Sequence, residues 1–245
     1  MKKARSSESP RRKLRAVPSS ADTPPCWFFR PDRDWRFHPG IFLYEIGRVL
    51  TRLLCRLVFR WEIRGRENIP PTGPLIIAPN HISYLDPPVV GAAADWSPAF
   101  MAKADLFRIP VFGWLISRTR AFPVQRGRAD RRAMRWALDL LSRGEMVLIF
   151  PEGTRSLTGK LLEAEPGITH IILRSRAPVL PVAVAGTDKI FRQIKPFPRF
   201  NRIRVSFGKP LTFEKYYGRS VKEVHACIGG QIMEKIQEML DAMRR

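Results

Sequence analysis

The chain predicts an α/β fold: a central, mostly parallel sheet flanked by helices and preceded by an amphipathic N-terminal helix. Three observations carry this. Short apolar, β-branched runs recur after residue 62, namely "PLIIAPN", "SPAFMAK", "TRAFPVQ", "EMVLIF", "PVLPVAVAG" and "IRVSFG", the lengths and compositions of strands. Longer amphipathic or alanine-rich stretches separate several of them, as helices covering a sheet would. Two runs, "EMVLIF" and "PVLPVAVAG", are apolar at nearly every position, which suits parallel strands buried on both faces. With 245 residues, one domain with short extensions is expected.

Taken in order, residues 1–36 open as "MKKARSSESPRRKLRAVPSSADTPP". This stretch is basic, rich in Ser and Pro and poor in large apolar residues, so a disordered leader is expected. It lacks the apolar middle of a secretory signal. Residues 37–61 contain "GIFLYEIGRVLTRLLCRLVFRW", in which Arg48, Arg52, Arg56 and Arg60 recur every fourth position. At about 100° per residue such a row drifts only ~40° per step, so the arginines line one side of a helix. Four charges disqualify it as a membrane span. A helix lying in the membrane interface with its arginines at the headgroups is expected. The alternative, a helix packed on the domain core, fits less well, because the apolar arc is wider than a core-facing stripe.

Residues 62–245 form the α/β domain. Its clearest helix is "RADRRAMRWALDLLSRG", stopping on Gly144, a residue suited to a helix C-terminus. "SVKEVHACIGGQIMEKIQEMLDAMRR" closes the chain as an amphipathic helix that Gly229 and Gly230 could interrupt. No internal repeat is present.

Charge narrows the partners. Forty-three Lys and Arg against 22 Asp and Glu leave +21, so an anionic surface is expected: nucleic acid, anionic lipid or a phosphorylated small molecule. Cys26, Cys55 and Cys227 are odd in number and widely spaced, which argues against a disulfide framework and for a reducing compartment. His38, His81, His170 and His225 show no metal-binding spacing, and no metal is expected.

The chemistry-bearing stretches lie at strand ends. In "PLIIAPNHISYLDPP", Asn80, His81, Ser83 and Asp86 follow a buried strand. On one continuous helix His81 and Asp86 would sit about 140° apart. A strand, a turn, and a helix capped by Asp86 with Pro87 behind it would instead fold the carboxylate onto the imidazole. There it would fix the tautomer and leave the other ring nitrogen to take a proton. Ser83, two residues from His81, is badly spaced for a nucleophile and suits a turn hydrogen bond. "FPEGTRS", residues 150–156, follows another buried strand, and loops at strand carboxyl ends are where such sheets bind ligands. That places Glu152, Gly153, Thr154 and Arg155 at a site, with Arg155 able to fork onto phosphate oxygens. Arg126 follows the strand in "TRAFPVQ" at a similar position. "GTRSLTGKL" misses the P-loop pattern by one residue of spacing and lacks Ser or Thr after its lysine, so no nucleotide-binding loop is read there.

Together these residues resemble the glycerolipid acyltransferase family, whose archetype is 1-acyl-sn-glycerol-3-phosphate acyltransferase. The family's N-H-x-S-x-x-D reads as Asn80, His81, Ser83 and Asp86; its F-P-E-G-T-R-S is complete from Phe150 to Ser156. Its strand ending in arginine reads as Phe122, Val124 and Arg126, without the glycine that often opens it. Its V-P-V run reads as Val179, Leu180, Pro181 and Val182, and a lysine common after the second strand matches Lys103. The resemblance spans about residues 62–215 and makes 62–245 an acyltransferase domain.

The resemblance implies a general base, His81, oriented by Asp86. It deprotonates the glycerol hydroxyl of lysophosphatidic acid for attack on an acyl-CoA or acyl carrier protein thioester, with no cofactor. It points to Arg126, Glu152, Gly153 and Arg155 for the acceptor phosphate, with Lys103 assisting there or at the oxyanion; the alternative for Glu152 is to position Arg155 or accept a glycerol hydroxyl without meeting phosphate itself. The lipid substrate gives the helix at 37–61 a purpose: a peripheral or monotopic enzyme on the cytoplasmic face of an anionic membrane. One departure concerns the acceptor. Where relatives often place a lysine before a glycine turn, "LLEAEPGI" carries Glu163 and Glu165, so another lysolipid, including one with an amino-acid headgroup, is a competing expectation. A non-enzymatic basic protein that binds membrane or nucleic acid is a distant third, and nucleic acid is not the partner the motifs favour.

Overall fold

The computed structural model describes residues 40–94, 96–125, 130–192 and 202–244. The leader expected over residues 1–36 lies outside them, and so does Arg126.

Seven strands build one sheet: β1 (Glu62–Arg64), β2 (Leu75–Pro79), β3 (Ala99–Lys103), β4 (Ala121–Val124), β5 (Met146–Leu148), β6 (Val179–Ala185) and β7 (Arg204–Phe207), in the order β1-β7-β6-β2-β5-β3-β4. The five from β6 to β4 run parallel, while β7 is antiparallel to β6 and parallel to β1. All six runs marked as strands are strands. β1 was not among them, since a lone isoleucine between Glu62 and Arg64 offers no apolar run. β2 lies at the centre with all five residues buried; Ile76 sits in register with Val147 on one side and Val179 on the other. Apolar contact on both faces accounts for its unbroken run.

The helices are α1 (Gly40–Val58), α2 (Asp86–Ala93), α3 (Pro110–Ser117), α4 (Arg131–Ser142), α5 (Pro166–Ser175), α6 (Asp188–Arg192) and α7 (Val221–Arg244). The crossovers through α2 and α3 step towards the β4 edge, and those through α4 and α5 step back. Right-handed crossovers therefore put α2 and α3 on one face of the sheet and α4 and α5 on the other. The cores agree. Cys55 of α1, Phe59 just beyond it, and Val89, Val90 and Ala93 of α2 pack on Leu75, Ile77 and Leu148. Ala137, Leu140, Ile171, Ile172, Ile228 and Ile232 of α4, α5 and α7 pack on Ile76, Ala78 and Val147. Phe100 touches both the α1–α2 core and the small cluster around Phe107 and Ile116, so α3 shares the α1–α2 face.

Asp130 caps α4, its carboxylate accepting from the Arg132 and Ala133 amides at 3.0 and 3.1 Å. α7 runs uninterrupted through Gly229 and Gly230. A Cβ on Gly229 would sit 3.0 Å from the Ala164 Cβ, so glycine serves close packing there and does not break the helix.

α1 corrects the sequence reading. It ends at Val58, and Arg60 lies beyond it at φ +41°. The four arginines do not form one outward row. Arg48 pairs with Glu45, one turn back. Arg52 donates through Nε to the Ala92 carbonyl at 2.7 Å and through Nη2 to the Ala94 carbonyl at 3.2 Å, capping the C-terminal end of α2 where a cation is favoured. Tyr44, Cys55 and Phe59 are buried on the same side. Only Arg56 and Arg60 face outward. The outer side is apolar: Phe42, Ile46, Val49, Leu50, Leu53, Leu54 and Leu57 are each 40–73% exposed, over an arc of about 140° at 100° per residue. The periodicity was visible in the sequence, but which side faced the domain was not.

Candidate active site

The parallel strands β6, β2, β5, β3 and β4 end on one edge of the sheet, and β2 ends between its neighbours β6 and β5. Three loops meet there. Asn80 closes β2 by treating β6 as a ladder partner: its amide nitrogen donates to the Val184 carbonyl at 3.0 Å and its oxygen accepts the Val184 amide at 2.7 Å. The chain then turns, and α2 begins at Asp86.

Asp86 is fully buried, so its carboxylate needs partners inside the protein. It finds four. Oδ2 accepts the Ile82 and Ser83 amides at 2.7 Å each and His81 Nδ1 at 3.0 Å, while Oδ1 accepts the Thr187 hydroxyl at 2.6 Å. The carboxylate thus folds back onto its own turn and makes no side-chain cap on α2. That replaces the expected N-cap role, yet brings about the expected contact with His81. With Nδ1 donating to a carboxylate, Nε2 is the nitrogen able to take a proton. Phe150 stacks on the imidazole with centroids 3.9 Å apart and planes at 22°. The residue is 4% exposed, so only an edge reaches outside. Ser83 Oγ accepts the Leu85 amide at 3.2 Å, the turn bond its spacing suggested.

Glu152 is 2% exposed, and its carboxylate is turned into the protein. Oε1 accepts the His81 amide at 2.8 Å and Oε2 accepts the Leu162 amide at 3.0 Å, tying the β2 loop, the β5 loop and the 161–164 segment together. Burial holds its carboxyl above the ordinary range; the two amide hydrogen bonds oppose this and the nearby Asp86 charge adds to it. Gly153 adopts φ +62°, and a Cβ there would lie 2.8 Å from the Glu165 Cγ, so both its conformation and its neighbour demand glycine. Exposed Thr154 continues the turn, its amide donating to the Glu152 carbonyl at 2.7 Å. Arg155 lies with its guanidinium 3.5 Å from the Tyr84 ring centroid, and the next amide, Ser156, donates to the His81 carbonyl at 2.8 Å. A cleft of about 190 Å³ opens beside the pair, lined by Ile82, Ser83, Tyr84, Arg155, Leu157 and Asp188 among others.

The structure therefore gathers His81, Asp86, Glu152, Gly153, Thr154 and Arg155, and leaves Lys103 apart. Lys103 ends β3, two strands from β2 and so ~10 Å across the sheet; it is half-exposed and pairs with Asp105 at 2.7 Å. Thr187, Tyr84 and Asp188 were not found from sequence. Thr187 and Asp188 follow β6 at the same sheet edge, the one signal that could have flagged them.

Residues 60–185, just over half of the chain, match the family model described as Acyltransferase. The chain belongs to the acyltransferase family. The crystal structure of the 1-acyl-sn-glycerophosphate (LPA) acyltransferase PlsC from Thermotoga maritima superposes with a TM-score of 0.62 at 25% identity, covering 81% of this chain and 79% of that one. The chloroplastic 1-acyl-sn-glycerol-3-phosphate acyltransferase BAT2 of Brassica napus is 30% identical over 165 residues, 62% of this chain and 48% of its own. The lyso-ornithine lipid O-acyltransferase of Pseudomonas aeruginosa is 32% identical over 137 residues, 56% of this chain and 51% of its own. The chain spans about half the length of these two relatives.

Proposed function

We propose that this acyltransferase moves a fatty acyl group from an acyl-CoA or acyl carrier protein thioester to the sn-2 hydroxyl of 1-acyl-glycerol-3-phosphate, giving phosphatidic acid. The observation that carries it is the buried His81–Asp86 pair, next in the chain to the Ile82–Tyr84 turn that lines a cleft with Arg155. His81 Nε2 takes the hydroxyl proton as the oxygen attacks the thioester carbon. The tetrahedral intermediate collapses, the C–S bond breaks, and the proton passes from His81 to the departing thiolate. Asp86 holds the Nδ1–H tautomer and offsets the imidazolium charge. No acyl-enzyme is required: the Ser83 hydroxyl is engaged with the Leu85 amide and the Thr187 hydroxyl with Asp86. Base catalysis of this kind contributes about 10²–10⁴-fold. Arg155 is assigned to the acceptor phosphate, joined by Arg126. Glu152 acts by positioning His81 and not by touching substrate.

Membrane association belongs to the same reading. Seven apolar side chains on the outer side of α1 face away from the domain. Covering them with hydrocarbon, each already about half covered by its neighbours, is worth on the order of 5–10 kcal/mol. No helix among the described residues is long and apolar enough to cross a membrane; the outer side of α1 is what supports a peripheral or monotopic enzyme, and we place it on the cytoplasmic face.

A second acceptor class has support of its own. Asp188 lines the cleft with Arg155, and the Glu165 side chain covers Gly153. A cleft carrying both signs of charge suits a zwitterionic headgroup, such as an amino-acid lysolipid. The deciding assay is acyl transfer in liposomes from acyl-CoA and from acyl carrier protein, to lysophosphatidic acid and to lyso-ornithine lipid, with wild type and His81→Ala. Phosphatidic acid from wild type alone supports the first reading; acylated ornithine lipid alone selects the second. Equal product from both proteins removes His81 as the base.

A further inference from the structure

The large exposed apolar residues are distributed unevenly. Among the described residues they occupy α1, the 109–115 segment that contains most of α3, and a few loop positions; none lies on α4, α5 or α7. Because α1, α2 and α3 share one face of the sheet, that face alone is apolar towards the outside.

α3 is the unexplained half of it. Val111 is 80% exposed, Trp114 47%, Phe112 43% and Leu115 42%, with Ile109 just before the helix at 49%. Nothing in α3 is charged. The helix is also held rigidly in this orientation. Gly113, Ile116 and Ser117 are its buried residues, and a Cβ on Gly113 would come within 2.3 Å of the Phe107 carbonyl oxygen. α3 therefore sits directly on the 104–108 turn and cannot roll its apolar side inward. Cations flank it: Arg108 precedes the helix, and the Arg118 guanidinium lies 4.3 Å from the centre of the Trp114 ring. An uncharged, aromatic-containing surface with arginines at its ends has the composition of an element lying at a bilayer interface. Eight residues, ~12 Å of helix, cannot span a membrane and can only lie in its surface.

We propose that α3 is a second lipid-contacting element, inserting Val111, Phe112, Trp114 and Leu115 into the interface of an anionic bilayer on the same side as α1. The two are linked through the domain: the Ser97 hydroxyl bonds Glu45 of α1 at 3.0 Å, and Arg120, just beyond α3, bonds the Ser97 carbonyl. α3 starts at the carboxyl edge of the sheet, next to β3. Two contacts would fix the tilt of the domain and hold that edge, with its cleft, against the lipid surface. The use of this contact rests on the lipid-acceptor reading; the contact itself does not.

The test is vesicle binding by the full chain, measured separately from catalysis. The probes are vesicles of phosphatidylcholine with phosphatidylglycerol, with and without brominated acyl chains. There are six tryptophans, so the bromine quenching lost in Trp114→Phe reports that ring alone. Val111→Asp with Phe112→Asp, checked for a wild-type circular dichroism spectrum, should lower vesicle partitioning by at least about tenfold. The same variant should keep wild-type transfer to a short-chain lysolipid below its micellar concentration. Quenching at Trp114 together with lost partitioning supports the proposal. Unquenched Trp114 with unchanged partitioning overturns it. So does protection of the patch by residues 1–39, seen as new partitioning once they are removed, or by a second copy, seen as a doubled mass that the aspartates abolish. A catalytically inactive wild type that still binds through Trp114 would sink the assigned activity and leave this proposal standing.

Discussion

The turn at residues 81–86 and the outer side of α1 depart from the usual distribution of polar and apolar groups in opposite directions. The turn buries a carboxylate completely and satisfies it with four donors, three from residues 81–83 and one from Thr187. The helix leaves leucines, valine, isoleucine and phenylalanine outside while turning Arg48 and Arg52 inward. A buried polar group is tolerated only when its partners come from the protein itself. An exposed apolar stripe is not held by any such requirement, and its cover has to be supplied from elsewhere. The first region is complete within the described residues; the second leaves its apolar side open there, and a bilayer is the cover we propose for it.

The harshest way to break this comparison is at Asp86. Asp86→Asn places an amide among donors that expect an acceptor, leaving buried groups unsatisfied at about 1–3 kcal/mol and freeing the His81 tautomer. Acyl transfer should fall by ~10²-fold or more, read as kcat on vesicle substrate. The milder Thr187→Val should lower kcat about tenfold, and Thr187→Ser should restore it; a Val variant with full activity would show that the hydrogen bond to Oδ1 is only structural.

On the opposite side, Leu53→Asp with Leu57→Asp should cut vesicle partitioning by at least about tenfold and cost no more than about 1–2 kcal/mol of stability, because both side chains are more than half exposed and the loss is chiefly one of helix propensity. A large loss of stability would mean that the stripe is covered by protein.

The inward arginines allow a finer test. Arg52→Ala removes two hydrogen bonds to the end of α2, about 1–2 kcal/mol of docking. Cys55 on α1 is buried, and burial pushes its thiol up to about 11. Its alkylation should be much slower than that of exposed Cys227 and should quicken several-fold in the variant.

The smallest effect is expected at Glu152. Its folded carboxyl titrates above the ordinary value of 4.5, so the folded chain keeps a proton that the unfolded chain has released. This group's stabilisation is present below that value and is lost as pH rises through the raised one. Glu152→Gln should flatten that part of the stability profile, measured by denaturant midpoint against pH.

How much of this was legible beforehand differs by element. The strands from "PLIIAPN" to "IRVSFG" announced themselves, because burial on both faces leaves an unbroken apolar run. β1 did not, since three residues at an edge need only backbone pairing. His81, Asp86 and the 150–156 loop were legible because their spacing is local to a turn. Thr187 was hidden because it meets Asp86 across 101 positions of chain. Glu152 was legible as a site residue but not in its role, which depends on two amides it reaches only when the loops have closed together. Chain order alone determined the α/β class, the strand-end location of the chemistry and the period of α1. Tertiary packing decided which side of α1 turns inward, that Lys103 lies two strands away, and that Asp86 bonds its own turn and not α2. Periodicity records which residues share a side; only the partner surface determines which way that side faces.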